Sequence, residues 1–271
     1  MIGAVVVLYN PSITEIKNIN TYKNKVDYTV IIDNSDINNR SLVNNIVKLS
    51  ESIVYYSEKK NIGLAKAFNF GINILIENNC EWALLLDADS ILGNDIFSVY
   101  ETAIKYYESD NNVAVFSPVH TFERSKNQPY TGYKNKGWTM TSGCIYNCRI
   151  FKQLNGFFEP LFVDGLDMDY CYKSHDKGFK IIECGEAIIK HNPAETKSFL
   201  GFKYGIASPK RYFMQARQLL WCWKKYKRIN IILIYFYKWF KVVFLFPDKK
   251  EYINQMIRGT KEGCAIYEIY K

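Results

Sequence analysis

The feature that most constrains the fold is an apolar run that ends in two carboxylates. Residues Trp82 to Leu86 carry no charge and no polar alternation, and Asp87 and Asp89 follow directly. Such a run is typical of a strand covered by helices on both faces of a parallel sheet. Because ligands bind at the carboxyl ends of these strands, we expect both acids at the mouth of a cleft. The alternative is an acidic turn in which Asp89 or Ser90 caps the next helix.

Strands and helices alternate along the first 90 residues. Apolar runs predict strands at residues 2–9, 28–32, 52–56 and 82–86, with helical segments between them. This order predicts an α/β fold in which a mostly parallel central sheet lies between helices. Residues 122–137 are polar and are predicted to form a long mobile loop. Further strands are predicted at residues 113–118, 141–146, 179–184 and 187–191.

The first strand-to-helix turn has no phosphate-binding glycine loop. Tyr9 to Ser12 match neither the dinucleotide fingerprint nor the P-loop, so both nucleotide-binding designs are excluded. A sugar-nucleotide pyrophosphorylase would also need a glycine-rich, basic loop at this turn. Asp87 and Asp89 instead suit Mg²⁺ or Mn²⁺, because hard cations prefer carboxylate oxygens and are often shared with substrate phosphates.

A second acidic cluster precedes a predicted helix and contains Asp164, Asp167 and Asp169. Acids in a first helical turn also stabilise the helix dipole, which is the structural interpretation. Asp167 is a candidate general base, since neighbouring carboxylates raise the pKa of a carboxyl group. His191 ends a predicted strand, as Asp89 does, and is either a structural residue or a third metal or phosphate contact.

The net charge of +8 is concentrated near the carboxyl terminus. Residues 190–250 contain 14 Lys and Arg against two acids, a balance of +12, so the rest of the chain carries −4. This asymmetry predicts an anionic partner for the last third of the chain. No nucleic-acid-binding motif accompanies these basic residues, so nucleic acid is not the expected partner.

Residues 229–246 form an aromatic and aliphatic segment that Lys238 and Lys241 interrupt. The segment is short for a membrane span, which needs about 20 apolar residues. Because basic residues flank it on both sides, we predict a helix that lies in the interface of an anionic membrane. A dimerisation helix is the alternative, since a large apolar patch marks either kind of partner.

The amino terminus and the cysteines bear on the compartment. The first residues lack the pattern of a signal peptide, and the seven cysteines are scattered and odd in number. Together these features predict a cytosolic protein with reduced thiols and no zinc site.

The ordered set of motifs resembles the family 2 glycosyltransferases, which have the GT-A fold. The matching elements are residues 5–10, 31–35, 61–69, 87–89, 142–143 and 162–173. Within the family, the chain is most similar to bacterial rhamnosyltransferases that act on cell-surface polysaccharides. That narrower resemblance depends on residues 84–90, 162–171 and 208–213 together with Arg217. The resemblance covers residues 2–220.

The resemblance implies an inverting, metal-dependent transfer of a sugar from a nucleoside-diphosphate sugar to a hydroxyl of a glycan or a lipid-linked acceptor. The implied donor is dTDP-rhamnose, with UDP-galactose, UDP-glucose or another UDP-sugar as the alternative, and the implied cofactor is Mn²⁺ or Mg²⁺. Asp167 is the implied catalytic base. The implied nucleotide-sugar contacts are Tyr9, Asn10, Asp33, Asn61, Gly63, Lys66, Asp87, Ala88 and Arg211. The implied acceptor contacts are Ser142, Gly143, Asp164 and Asp169, and the implied metal ligands are Asp89, Asp87 and His191.

The expected organisation is a catalytic domain at residues 1–205 and a helical extension at residues 206–271. The extension is basic and aromatic, and we expect it to hold a cytoplasmic enzyme on the inner face of the cell membrane, with a homodimer as the alternative. A function of another class is a catalytically silent glycan-binding or scaffold protein. The presence of both acidic clusters argues against that alternative.

Overall fold

The computed structural model describes residues 1–93, 95–122, 127–190, 195–199, 202–246 and 248–271. The first four strands are β1 (Ile2–Leu8), β2 (Tyr28–Asp33), β3 (Ile53–Ser57) and β4 (Trp82–Asp87). The helices that connect them are α1 (Ile13–Asn18), α2 (Arg40–Val47) and α3 (Leu64–Glu77). Ser12 begins α1 with a capping box that includes Glu15. The strand and helix order predicted for this half is confirmed.

The middle of the chain completes the sheet. Its strands are β5 (Ile91–Leu92), β6 (Val113–Thr121), β7 (Tyr133–Asn135), β8 (Ile145–Asn147) and β9 (Lys180–Lys190). Its helices are α4 (Ile96–Tyr106), α5 (Cys148–Gln153) and α6 (Leu166–Asp176). A two-stranded ribbon of β10 (Glu195–Phe199) and β11 (Phe202–Ile206) then leads to three helices. These are α7 (Pro209–Tyr226), α8 (Ile229–Phe244) and α9 (Lys249–Tyr270).

Three predictions about this part of the sheet were wrong in detail. The predicted loop at residues 122–137 contains β7, which pairs with β9, while residues 123–126 lie outside the described part of the chain. The two strands predicted at residues 179–184 and 187–191 are one strand, β9, which absorbs a shift in register opposite Pro118 and Val119. The strand predicted at residues 141–146 begins only at Ile145, because Gly143 has a φ of +77°, outside the strand region.

The strand order is β3-β2-β1-β4-β8-β6-β9-β5, and β7 pairs with β9. The first four strands are parallel to one another, so their carboxyl ends lie at one edge. In this register Leu8 is opposite Asp33 on β2, and Val7 is opposite Asp87 on β4. The α/β class with a mostly parallel central sheet is therefore confirmed, while β5, β7 and β8 pair antiparallel to their neighbours. The register brings the two strand-terminal acids to the same edge of the molecule, on either side of β1.

The sheet has a hydrophobic core on each face. Along β1, Val5 and Val7 face the core that contains α3, whereas Ala4, Val6 and Leu8 face the core that contains α1, α2 and α4. Because both sets are buried, the strand has no polar alternation, as the sequence indicated. All seven cysteines are free thiols, and six of them are buried.

A third core lies among α7, α8 and α9. Two glycines of α9 allow its backbone to approach α7 closely. A Cβ atom at Gly259 would lie 2.1 Å from the carbonyl oxygen of Phe213, and one at Gly263 would lie 2.3 Å from that of Arg217. These are backbone atoms, so the two helices can sit this close only while both positions lack a side chain.

We expect Gly263→Ala to lower the free energy of unfolding by about 1–3 kcal/mol, because the new methyl group must push α9 away from α7. At an exposed helix position, Gly→Ala raises the free energy of unfolding by about 1 kcal/mol. The sign of the change therefore tests whether α9 packs closely against α7 at Gly263. Urea denaturation followed by circular dichroism measures it, with Lys261→Ala on the exposed side of α9 as the control. A stabilised Gly263→Ala variant would contradict the close approach.

Helix α8 is apolar on its outer side as well as on its inner side. Seven outward side chains are between 37% and 74% exposed, namely Ile229, Leu233, Phe236, Tyr237, Phe240, Val243 and Phe244. At about 100° per residue they form one stripe about 120° wide; we refer to these seven residues as the α8 stripe. The two lysines that interrupt the apolar sequence are not part of it. Within the described residues, we find no helix with the length and apolarity needed to cross a membrane.

Candidate active site

The turn after β4 is fixed by hydrogen bonds that position its acids. The N–H of Asp87 donates to the Ser90 hydroxyl at 3.0 Å, and the N–H of Ser90 donates to the Asp87 carbonyl at 3.1 Å. The same hydroxyl lies 2.6 Å from that of Ser142, and the Asn18 amide donates to the carbonyls of Ser90 and, at 3.4 Å, Ala88. Ser90 therefore closes this turn rather than capping the next helix. Asp87 is left half-buried and Asp89 exposed.

The start of α6 supplies the second pair of acids. Gly165 precedes the helix with a φ of +93°, and a Cβ atom there would lie 2.1 Å from Cγ of Gln218 on α7. This glycine therefore allows α6 to begin directly against α7. Asp164 lies just before the helix and accepts a hydrogen bond from Arg211 of α7 at 2.7 Å. Asp167 lies in the first turn.

These groups line one cleft of about 490 Å³ at the carboxyl edge of the sheet. Its charged lining groups among the described residues are Asp87, Asp89, Asp164, Asp167, Arg211 and Lys238. Ser142 also lines the cleft, next to the turn that it fixes. The two acidic clusters, 75 positions or more apart in sequence, thus meet at a single site, together with the predicted cation Arg211.

The pKa of Asp167 is raised to about 6, chiefly by burial. The Met168 N–H, which donates to Asp167 Oδ1 at 2.7 Å, acts in the opposite direction, and the charges of Asp164 and Asp87 contribute to the rise. The predicted direction of the shift agrees with the structure. The main cause differs, because loss of water around the carboxylate contributes more than the neighbouring acids do. A carboxylate with this pKa is a better proton acceptor than an ordinary one near neutral pH.

Asp33 is held inside the loop that follows β2. It is 1% exposed, and it accepts hydrogen bonds from the Tyr55 hydroxyl, from the N–H and side-chain amide of Asn39 at 3.0 Å each, and from the Ser35 N–H at 3.1 Å. Burial opposes its ionisation, but these hydrogen bonds outweigh that effect and lower the pKa of Asp33. A small cavity of about 80 Å³ adjoins it, lined in part by Tyr56 and Phe70.

Side-chain amides connect this loop to the turn before α3. Asn34 donates to Asn61 Oδ1 at 3.1 Å and accepts from the Ile62 N–H at 2.8 Å, while Asn61 also accepts from the Gly63 N–H at 2.9 Å. Asn34 was not among the site residues predicted from the sequence. Gly63 has a φ of +85°, and a Cβ atom there would lie 2.6 Å from the Phe162 ring, which accounts for the glycine.

Three further predicted nucleotide contacts lie at this edge. Tyr9 is 55% exposed, and Asn10 follows it with its N–H donating to the Ser35 hydroxyl at 2.7 Å. Lys66 is exposed on the first turn of α3. None of the three lines the cleft that contains the acids.

Two predicted acceptor contacts have other surroundings. Asp169 is fully buried on the side of α6 away from Asp167, where its Oδ1 accepts from Trp221, Lys225 and Tyr226 at 3.2, 3.0 and 2.8 Å. A Cβ atom at Gly143 would point toward Ile189 Cδ1, 2.7 Å away. The structure thus turns both positions toward the protein interior, and His191 lies outside the described residues.

Several residues that line the cleft were not predicted from the sequence. Among them are Trp138 and Met140 before β8, Gln215 and Gln218 on α7, and Ile234 and Lys238 on α8. The i, i+4 spacing of Ile234 and Lys238 places them on one face of a helix, but nothing local to the sequence says which face meets the cleft.

The cleft fits a divalent cation that is shared with a phosphate. Four carboxylates line it against two cations, a balance of −2 when all are ionised. Among the residues that the structure describes, no group of three or more His, Cys, Asp or Glu side chains could hold a metal ion. Of the three predicted metal ligands, Asp89 and Asp87 line the cleft and His191 lies outside the described residues. Carboxylate oxygens suit Mg²⁺-type sites that substrate phosphates and water complete.

No protein-family model matches the chain. The dTDP-rhamnosyl transferase RfbF of Shigella flexneri is 25% identical over 240 residues, which cover 80% of this chain and 77% of the relative. GalNAc-T7, in a crystal structure with UDP, GalNAc and Mn²⁺, superposes with a TM-score of 0.62 at 14% identity. That match covers 99% of this chain but only 57% of GalNAc-T7.

TarS of S. aureus, residues 1–349, superposes with a TM-score of 0.55 at 11% identity, covering 99% of this chain and 73% of the TarS chain. A structure of the same TarS fragment in complex with UDP matches equally well. At these identities the structural matches establish the fold, and the predicted GT-A architecture is confirmed.

Proposed function

We infer a donor, an acceptor and a mechanism for this chain from the premise that it is a family 2 glycosyltransferase with the GT-A fold. We propose that it transfers rhamnose from dTDP-rhamnose, with inversion, to a hydroxyl of a growing cell-surface glycan or lipid-linked acceptor. The observation that carries the proposal is the meeting of Asp87, Asp89, Asp164, Asp167 and Arg211 at one cleft. The rhamnosyltransferase relative supports the sugar. UDP in the TarS and GalNAc-T7 structures makes a UDP-hexose the second candidate donor.

Asp167 is the proposed general base. Its raised pKa suits a group that takes a proton from the acceptor hydroxyl as that oxygen attacks the anomeric carbon. Attack on the face opposite the nucleoside diphosphate inverts the anomeric centre in one displacement. Asp164, which is held by Arg211, borders the acceptor position in this arrangement. Ser142 fixes the turn of Asp87 and Asp89 from the same side.

The nucleoside diphosphate would extend from the cleft toward Asp33. In this proposal Asp33, Asn61, Gly63 and Lys66 form the nucleotide end, with Tyr9 and Asn10 beside them, and Asp87 and Ala88 border the ribose. Asp89 and Asp87 would hold Mn²⁺ or Mg²⁺, which when bound stabilises the charge on the leaving diphosphate. Arg211 contributes a fixed positive charge to the same end of the cleft.

A donor panel tests the reaction. We expect the protein to release one nucleoside diphosphate from a set of dTDP-, UDP- and GDP-sugars, dTDP-rhamnose first, and only with Mn²⁺ or Mg²⁺ present. In Asp89→Ala the metal concentration for half-maximal rate should rise by roughly tenfold or more, because outer contacts alone are worth about that much in metal sites. Glu81→Ala, an exposed acid far from the cleft, is the control.

If turnover is unchanged in EDTA, the reaction does not depend on Mn²⁺ or Mg²⁺, and the metal-dependent part of the proposal is wrong. A UDP-hexose as the preferred donor would replace rhamnose but keep the reaction class. No turnover and no nucleotide-sugar binding with any donor would favour the silent glycan-binding protein instead.

We further propose that residues 1–205 form the catalytic domain and residues 206–271 a helical extension that binds an anionic membrane surface. The α8 stripe supports this, because aromatic and aliphatic side chains on one helix face suit the interface between lipid headgroups and acyl chains. The charge balance of +12 over residues 190–250 complements anionic lipids. A cytoplasmic enzyme held in this way meets a lipid-linked acceptor at the membrane surface.

Vesicle sedimentation tests whether the protein binds an anionic membrane surface. We expect the wild-type protein to bind vesicles containing phosphatidylglycerol more tightly than vesicles of phosphatidylcholine alone, and Phe236→Ser/Phe240→Ser to lose most of this binding. Ile269→Ser on α9 removes an equally exposed apolar side chain outside the stripe and serves as the control. A concentration-dependent dimer that the double variant abolishes, without vesicle binding, would assign the stripe to a homodimer.

A further inference from the structure

The α8 helix contributes to two sides of the molecule. The α8 stripe faces outward, whereas Ile234 and Lys238 line the cleft. Around the helix axis, Lys238 lies about 160° from the centre of the stripe. The position of Lys238 at the cleft, rather than among the flanking basic residues, points to a function in binding.

The Lys238 side chain is held in place by α7. Its Nζ donates to Gln215 Oε1 at 2.8 Å and lies 5.4 Å from the centroid of the Tyr212 ring. Gln215 also lines the cleft, one helical turn after Arg211. The amide oxygen of Gln215 orients the ammonium group of Lys238 at the cleft that both residues line.

Lys241, on the next turn of α8, has a different environment. It is 6% exposed, and its Nζ donates to the carbonyl of Gly205 at 2.9 Å. Lys241 does not line the cleft, so its contacts account for it as a structural residue that joins α8 to the β10–β11 ribbon. Of the two lysines that interrupt the apolar segment, only Lys238 is placed to meet a bound molecule.

We infer that Lys238 binds a phosphate oxygen of a substrate in the cleft, with Gln215 as its positioning residue. This inference rests on the proposed function and adds a residue to its site. An ammonium group is a compact charge with three donors, which suits the oxygens of a diphosphate. The phosphate comes either from the nucleoside-diphosphate donor or from the anionic group of a lipid-linked acceptor that enters from the membrane side of α8.

Binding measurements on the full chain test the assignment and separate the two sources. The probes are dTDP with Mn²⁺, for the donor, and geranylgeranyl diphosphate in detergent, for a lipid phosphate. We expect Lys238→Gln to lower the affinity for one or both probes by about 10- to 100-fold, which is the effect of losing a hydrogen bond to a charged group. Lys238→Arg should recover part of the affinity. Lys261→Gln changes an exposed lysine of α9 outside the basic residues 190–250, and this variant should bind as the wild type does.

Weaker binding of dTDP assigns the phosphate to the donor, and weaker binding of the prenyl diphosphate assigns it to the acceptor. Unchanged affinity for both probes in Lys238→Gln overturns the inference. Thermal unfolding of each variant shows whether a loss of affinity comes from misfolding. If Lys238→Gln is misfolded, Gln215→Leu provides the test, because it removes only the contact that positions Lys238. Gln215→Leu must then weaken binding of the same probe, and unchanged binding overturns the inference. Wild-type turnover in the donor panel is independent of these results, so the inference can fail while the proposed function holds.

Discussion

Asp167→Asn should reduce sugar transfer by about 10²- to 10⁴-fold, the usual contribution of a general base. The amide keeps the size of the carboxylate but cannot accept the proton of the acceptor hydroxyl. Nucleotide binding should persist, because the proposed contacts of the nucleoside diphosphate lie on other residues. Initial rates of transfer at saturating donor, together with calorimetric titration of dTDP and Mn²⁺, separate the two effects.

Asp176→Asn provides a matched control on the same helix. Asp176 ends α6 in an exposed ion pair with Arg228, away from the cleft, so its loss should leave transfer within about twofold of the wild type. Transfer that survives in Asp167→Asn would exclude Asp167 as the base. Equal losses in both variants would indicate a general effect on α6.

The same Asp167→Asn variant should be more stable than the wild type at neutral pH when no metal or nucleotide is bound. The carboxyl has a pKa of about 6 in the folded state, above its value in the unfolded chain, so the folded state binds the proton more tightly. Stability from this group is therefore fully present below about pH 4 and is lost as the pH rises through 6. Asp164, Asp87, Arg211 and Lys238 also line the cleft and stay in both proteins.

We expect a gain of about 1–3 kcal/mol in the unfolding free energy at pH 8, decreasing toward zero near pH 4, since each unit of pKa is worth about 1.4 kcal/mol. Urea denaturation in EDTA at the two pH values measures it. A difference that does not change between pH 4 and pH 8 would contradict the raised pKa.

Asp169→Ala should cause a large loss of stability, about 3–5 kcal/mol. Its buried carboxylate accepts hydrogen bonds from Trp221, Lys225 and Tyr226 of α7, and the substitution leaves all three donors without that acceptor. Lys225, whose side chain is 33% exposed, can turn toward water, and the Tyr226 hydroxyl keeps the main-chain carbonyl of residue 169 at 3.0 Å. Trp221, which is 1% exposed, cannot reach water. The loss separates α6 from α7 at the point where the two helices form the cleft.

Denaturant unfolding of Asp169→Ala beside Asp176→Ala measures this effect. Both variants remove an acid of α6 that forms an ion pair, but the exposed pair of Asp176 should contribute less than about 1 kcal/mol. If the two variants have similar stability, the buried contacts of Asp169 do not hold the helices together. Asp169→Ala with normal stability and weakened acceptor binding would instead support the acceptor role that the resemblance implied.

Local sequence determined the first half of the fold. The unbroken apolar runs of β1 and β4 predict buried parallel strands, because a strand covered on both faces has no polar positions. The rule that ligands bind at the carboxyl ends of such strands then placed Asp87 and Asp89 at a cleft before any contact was known. Asp33 lies at the same edge, but from the sequence its role as a nucleotide contact was implied only by the family resemblance.

Tertiary packing decided the rest. Asp167 and Asp169 are two residues apart, which is about 200° around a helix, and only the contact of α6 with α7 determines that Asp167 faces the cleft and Asp169 the interior. The amino-acid pattern of α8 predicts a membrane-facing helix that two lysines interrupt. In the structure both lysines contact the protein, Lys238 at Gln215 and Lys241 at the carbonyl of Gly205. Sequence sets which residues share a helix face through its periodicity, whereas the partner of that face depends on residues distant in the chain.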